Sequence, residues 1–352
     1  MIISFGAMEV FMPAFGLSRL QVSRRRAAAR GARWLVRSLV LPVAFAAALA
    51  AAPAAAADRP RIVATIGMIA DMARTLAGDC AEVRALIGPG TDPHTYRATP
   101  SDVAALNRAD VILYLGLGLE GQLAQVLGRL GTRKTVVAIG AAIPADRLLV
   151  EDGAPDPHVW MSPALWSLAI PAVAAAVRDA APACAEAVAA AAGRHAAELA
   201  ALDAWGRASL ATIPADRRIL VTAHDAFGYM GRDWDIRVEA IQGISTEAEA
   251  SVADITQTAR LVADMRVPAV FVESTINPRT IEALIAAARS LGHEVTIGGA
   301  LLADAMGAEG TAAGTYIGMI HANVTAIAAA LGGRALPLPE ALRDWGAIWG
   351  IG

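Results

Sequence analysis

Two Rossmann-like α/β lobes joined by a single long helix are the fold this sequence predicts, and three observations carry the prediction. Short β-branched runs alternate with longer helical patterns from residue 61 to about residue 140. The alternation then stops, and from Pro182 to about Leu210 comes one long alanine-rich helical pattern without a strand. Alternation resumes at residue 218 and runs to about residue 299. Strands so apolar, with helices between them, belong to parallel sheets covered on both faces. A long unbroken helix between two such blocks favours two lobes over one large doubly wound sheet.

Taken in order, RIVATIG (61–67) reads as a strand, MIADMARTLAG (68–78) as a helix and EVRALI (82–87) as a strand. GPGTDPHTYRATPSD (88–102) follows, where Gly88, Pro89, Gly90 and Pro93 forbid regular structure. Pro100, Ser101 and Asp102 mark a helix start. DVILYLG (110–116) and KTVVAIG (134–140) are the next strands. Beyond the long helix, strands are expected at RILVTAH (218–224), IRVEAI (236–241), AVFVES (269–274) and EVTIGG (294–299). The tail with Trp345 and Trp349 is expected to pack on the second lobe.

The N-terminus has a different character. Residues 19–37 hold seven arginines and no acid, and the apolar stretch LVLPVAFAAALAAAP follows from Leu39. A basic start, a short apolar segment and small residues at an A-x-A site describe a secretory signal peptide, cut after Ala57. Pro42 and Pro53 interrupt the apolar segment, which is too short for a stable span. No cysteine stands at the cut, so no lipid anchor is expected there. The expected organisation is a signal peptide over 1–57, a first lobe over 58–181, a linking helix over 182–212 and a second lobe over 213–352. Cleavage leaves 23 basic against 32 acidic residues, a formal charge of about −9. An acidic exported chain is a poor nucleic-acid binder. Cys80 and Cys184 are too few for a thiolate cluster, and export places them where paired cysteines join, so a disulfide is expected.

The six histidines fall into two groups. His195 in the alanine-rich helix reads as a solvated surface residue, His293 as part of a turn, and His321 as a core or partly buried helix residue. His94, His158 and His224 each lie at the carboxyl end of a predicted strand or in a strand-to-helix loop, the edge where open α/β sheets bind ligands. Asp304, in GGALLADAMG, follows the last strand in the same way. These four are 64, 66 and 80 residues apart, so no local motif joins them and only the fold can assemble them, two from each lobe. Three imidazoles and one carboxylate suit Zn²⁺ well and Mn²⁺ acceptably. Asp225, next to His224, reads as the start of the following helix rather than as a general base.

PGTDPHTYRATPSD, DPHVWMSP, VTAHDAFGYMGRDWDIRVEAIQGISTEAEAS, VFVESTINPRT and GGALLADAMGAEGTAAGTYIGMI together resemble the metal-binding, TroA-like or ZnuA-like solute-binding proteins of ABC transporters. The resemblance covers residues 60–332 with the motifs in order. It implies two lobes on one long helix and a metal site in the cleft between them, with His94, His158, His224 and Asp304 as ligands. It also implies a periplasmic monomer that passes a divalent metal to a membrane permease and its ATPase subunit. Two departures bear on the cargo. The segment before His158 lacks the histidine-rich loop of many zinc-uptake members, and His224 stands where manganese members often have Glu. Zinc is favoured here, with manganese the second candidate. The competing reading is an exported zinc metallohydrolase, but catalytic zinc normally keeps an open position that four protein ligands would fill. No catalytic residue is therefore assigned.

Overall fold

The computed structural model describes residues 59–151 and 153–352. The expected signal peptide and its expected cleavage site lie outside the described residues. The first lobe runs β1 (Arg61–Ala64), α1 (Gly67–Ala77), β2 (Glu82–Ala85), α2 (Pro100–Arg108), β3 (Val111–Tyr114), α3 (Ala124–Gly131) and β4 (Thr135–Ala138). Its four strands form a parallel sheet in the order β2-β1-β3-β4. The chain enters at the middle and builds outward both ways, so a crevice opens at the carboxyl edge between β1 and β3. α2 begins where its sequence says, through a reciprocal capping box between Thr99 and Asp102. The Tyr96 hydroxyl adds a third bond to Asp102 Oδ2 at 2.6 Å, which anchors the proline-rich loop to the helix. A short hairpin of β5 (Val150–Glu151) and β6 (Ala154–Pro155), then α4 (Pro163–Trp166) and α5 (Ile170–Ala180), complete the lobe.

The bridge is α6 (Ala185–Leu210), whose 26 residues span about 39 Å. Pro182–Cys184 make a separate 3-10 turn before it rather than its first turn, and Cys184 is disulfide-bonded to Cys80 at the end of the turn following α1. The second lobe runs β7 (Ile219–His224), α7 (Gly228–Trp234), β8 (Arg237–Gln242), α8 (Val252–Asp264), β9 (Ala269–Glu273), α9 (Arg279–Ser290) and β10 (Thr296–Leu301). β7 pairs with β8 and β9 with β10, both parallel, and β7 lies against β9. This repeats the order of the first lobe. α10 (Tyr316–Ala330) and α11 (Arg343–Trp349) follow.

α6 buries Val188, Ala191, His195, Leu199, Leu202, Trp205 and Ser209, a stripe at intervals of three or four residues. It packs on α1, α4 and α5 from one lobe and on α7 and α10 from the other. His195 lies in this stripe, buried and 3.1 Å from Glu198 Oε2, so its reading as a solvated residue is corrected. An alanine-rich helix has few bulky residues to fill its buried face, and the imidazole takes a place there. A Cβ at Gly206 would stand 2.5 Å from the Trp234 ring, so glycine is what lets α7 approach the bridge. The tail packs on more than the second lobe: Trp205 Nε1 of α6 donates to Leu336 O at 2.7 Å, and Trp345 Nε1 donates to Thr315 Oγ1 at 3.1 Å. His321 is partly buried, as expected, with its ring stacked on Trp205. His293 directly follows the turn at Leu291 and Gly292 and pairs with Val267 O. Among the described residues no helix is long and apolar enough to cross a membrane.

Candidate metal centre

Each of the four predicted ligands arrives by a different local device. His94 sits in the proline-rich loop after β2, and Asp92 folds that loop around it by accepting the His94 N–H (2.8 Å) and the Thr95 hydroxyl (2.9 Å). His158 follows the β5–β6 hairpin, and both its backbone N–H (2.9 Å) and its Nδ1 (2.7 Å) meet Asp156 Oδ1. His224 is the last residue of β7; Glu273, the last residue of β9, accepts from its backbone N–H (2.9 Å) and faces its Nδ1 at 2.5 Å. Glu273 also takes the Ala223 N–H at 2.8 Å, so one carboxylate ties the ends of two neighbouring strands. Asp304 lies three residues past β10.

The fold brings all four together, with one donor atom from each within 4.8 Å of the others and every one buried. His94 Nε2 is 3.3 Å from His158 Nε2 and 3.6 Å from Asp304 Oδ2. His158 Nε2 is 3.2 Å from Asp304 Oδ1, and His224 Nε2 is 3.1 Å from Asp304 Oδ2. A tetrahedron with metal–donor bonds of about 2.0–2.1 Å has edges of about 3.3 Å. His224 Nε2 and both Asp304 oxygens are buried without a hydrogen bond. Such atoms are costly to leave unpaired, and a cation at their centre would satisfy them together.

Charge in the metal-free site is set by the same neighbours. Burial alone would lower the His158 imidazole, but Asp156 and Asp304 raise it to about 9. Burial opposes the charge on His224 too, and Glu273 and Asp304 hold it well above the usual histidine value. Burial wins at His94, which falls to about 4 although Asp304 pulls the other way. Asp304 is held well below the carboxylate range, burial being overcome by His224 and His158. The carboxylates thus favour positive charge on His158 and His224, where a dication would sit. In both rings Nδ1 faces a carboxylate, which directs the Nε2 lone pair inward once the second proton leaves.

Asp156 and Glu273 were not singled out in the sequence. Asp156 stands two residues before a ligand in DPH, but Glu273 is 49 residues from its partner, and an acid ending an apolar strand was its only signal. Asp225 is corrected as well: α7 begins at Gly228, and Asp225 does not start it. Its carboxyl is raised to about 6 by burial and by Asp156 and Glu151.

Residues 62–330 match the ZnuA family, zinc-uptake complex component A, periplasmic. The chain belongs to that family. It is 42% identical over 297 residues to the zinc-binding protein TroA of Treponema pallidum, covering 84% of this chain and 96% of that protein. It is 40% identical over 273 residues to the manganese-binding lipoprotein MntA of Bacillus subtilis, covering 77% of this chain and 89% of that protein. Among solved structures, that of the periplasmic zinc-binding protein TroA superposes with a TM-score of 0.76, covering 78% of this chain and 99% of that one. These are solute-binding proteins of the two-lobe fold, and α6 matches its connecting helix.

Proposed function

We propose that this chain captures one divalent transition metal through His94, His158, His224 and Asp304 and delivers it to an ABC permease and its ATPase subunit. Four buried donors within 4.8 Å of one another, two of them without any partner outside the cluster, are the observation that carries the reading. The same reading takes residues 1–57 as the export signal and assigns residues 58–181 and 213–352 to the lobes around the link 182–212. It makes the protein a periplasmic monomer, and N-terminal sequencing of exported protein should begin at Asp58.

Zinc is the proposed cargo. The similar proteins include one that binds zinc and one that binds manganese, so their names do not choose. The donor set does, because three imidazoles and one carboxylate fill a tetrahedral zinc shell, whereas manganese takes more oxygen ligands and lies lower in intrinsic affinity. With four protein donors no position is left open for an activated water, so hydrolysis is not proposed. The test is metal analysis of purified protein followed by direct competition at neutral pH. One zinc per chain, displacing manganese at equal free concentrations, is expected. A manganese preference would replace the zinc reading, and no metal bound by wild-type protein would overturn the function.

A further inference from the structure

His158 and His224 each have a carboxylate behind them, but Asp304 has nothing of the kind. Its oxygens face only the other donors, His158 Nε2 at 3.2 Å and His224 Nε2 at 3.1 Å, so no partner outside the cluster fixes its direction. Its placement must come from the backbone that leads to it. Leu302 is gripped on both sides by the buried Asn323 of α10, whose Oδ1 accepts the Leu302 N–H and whose Nδ2 donates to Leu302 O, each at 2.8 Å. The next carbonyl, Ala303 O, accepts the indole N–H of Trp160 at 2.9 Å.

Trp160 comes from the other lobe. It is fully buried two residues after His158, and its ring packs on the His158 imidazole at 5.3 Å between centroids. Its own carbonyl accepts the Tyr316 hydroxyl at 2.6 Å, and the Tyr316 N–H donates to Asp71 of α1 at 2.9 Å. One residue thus touches a histidine ligand with its ring and holds the peptide beside the carboxylate ligand with its N–H. The two ligands it joins are 3.2 Å apart, donor to donor.

We propose that Trp160 is the positioning residue for Asp304, doing through the backbone and from the opposite lobe what Asp156 and Glu273 do directly for the imidazoles. The inference rests on the metal-binding reading above. A donor held in place before metal arrives costs little to recruit and is slow to swing away, so the effect belongs in the dissociation rate.

The test compares Trp160→Phe with Trp234→Phe in the full chain, using Zn²⁺ as the probe. Trp160→Phe keeps an aromatic ring and loses the N–H to Ala303 O. Trp234→Phe removes the indole bond of another buried tryptophan, to Asp203 Oδ1 at 3.0 Å, outside the donor cluster. Both variants should lose thermal stability. In chelator-quench stopped flow, only Trp160→Phe should release zinc faster, by roughly tenfold, the scale of ligand-orienting partners, with its association rate unchanged. If Trp160→Phe does not fold, Tyr316→Phe, which frees the Trp160 carbonyl, should shift release in the same direction. A wild-type release rate in the folded variant, or an equal rise in Trp234→Phe, overturns the proposal. Failure of wild-type protein to bind one zinc would instead overturn the metal-binding reading itself.

Discussion

The two lobes share one strand order but present their proposed metal ligands in opposite ways. In the first, His94 and His158 stand on irregular segments well beyond the sheet, shaped by proline turns and by Asp92 and Asp156 close in sequence. In the second, His224 is itself a strand residue and Asp304 follows a strand by three positions, held by Glu273 and Asn323 from distant segments. One half of the site is local and the other is built by tertiary contacts. A loop ligand is free to adjust on losing a neighbour, whereas a strand ligand is not, so the halves should respond differently to damage.

The largest test removes ligands one at a time. Structural zinc sites are worth about 10–16 kcal/mol, so one of four donors carries roughly 3 kcal/mol, a hundredfold or more in affinity. Each alanine variant of His94, His158, His224 and Asp304 should lose at least that while keeping the fold. His224→Ala should lose more than His94→Ala, because β7 cannot shift to offer a substitute. Equal losses in calorimetric titration would break the comparison.

Next come the carboxylates behind the rings. Asp156→Asn and Glu273→Gln should each weaken zinc binding by about 10–100-fold. Glu273→Ala should also lower thermal stability more than Asp156→Ala. It orphans the Ala223 and His224 N–H groups at once, and Asp156 serves one backbone N–H. Melting curves on metal-free protein decide this.

The same contrast explains what the sequence made legible. All four residues of the proposed site, which the fold brings together, stand out in the sequence, because a polar residue after an apolar strand or between prolines is conspicuous. So was Asp102, whose capping box is written within four residues. Glu273, Asn323 and Trp160 were not. Each looks like an ordinary end or middle of an apolar element, and its partner lies 49, 21 or 143 residues away. His195 failed for a related reason, since an alanine-rich helix has too weak a pattern to say which face is inside. Local chemistry shows in a sequence; tertiary support does not.

Covalent bracing is also unequal, since the disulfide ties the turn after α1 of the first lobe to the turn that precedes α6. Closing a loop with a sequence separation of 104 typically adds about 2–4 kcal/mol of stability. Reduction should lower the melting temperature accordingly and leave zinc affinity within about threefold of wild type, because the bond frames the lobe and touches no ligand. A matching loss of affinity would show that the frame and the loops are not separable.

Acidity probes both halves together. His158, raised to about 9, holds a proton that zinc must displace, and His224 is raised as well. A raised value favours the protonated form, so zinc affinity should climb with pH until both imidazoles have lost that proton. Asp156→Asn and Glu273→Gln each remove the charge that raises one imidazole, so each should shift the climb to lower pH. Titrations across pH 5 to 9.5 would show either variant behaving otherwise.

The smallest effect is expected where the lobes meet over the loop-built half. Asp92 Oδ2, already shaping the His94 loop, accepts the Thr246 hydroxyl of the second lobe at 2.6 Å. Nearby, Gln122 Nε2 reaches Glu247 Oε1 at 3.3 Å. These bonds let the strand-built lobe hold the loop of its partner. Thr246→Val keeps the side-chain shape and removes one hydrogen bond, worth about 1 kcal/mol, or roughly fivefold. If His94 depends on that bond, zinc should leave the variant a few times faster, with association unchanged. Addition of His94→Ala should abolish the difference, because the loop would then carry no ligand. A Thr246→Val effect that survives in the double variant would mean that the bond acts elsewhere, and that the first lobe holds its own loop.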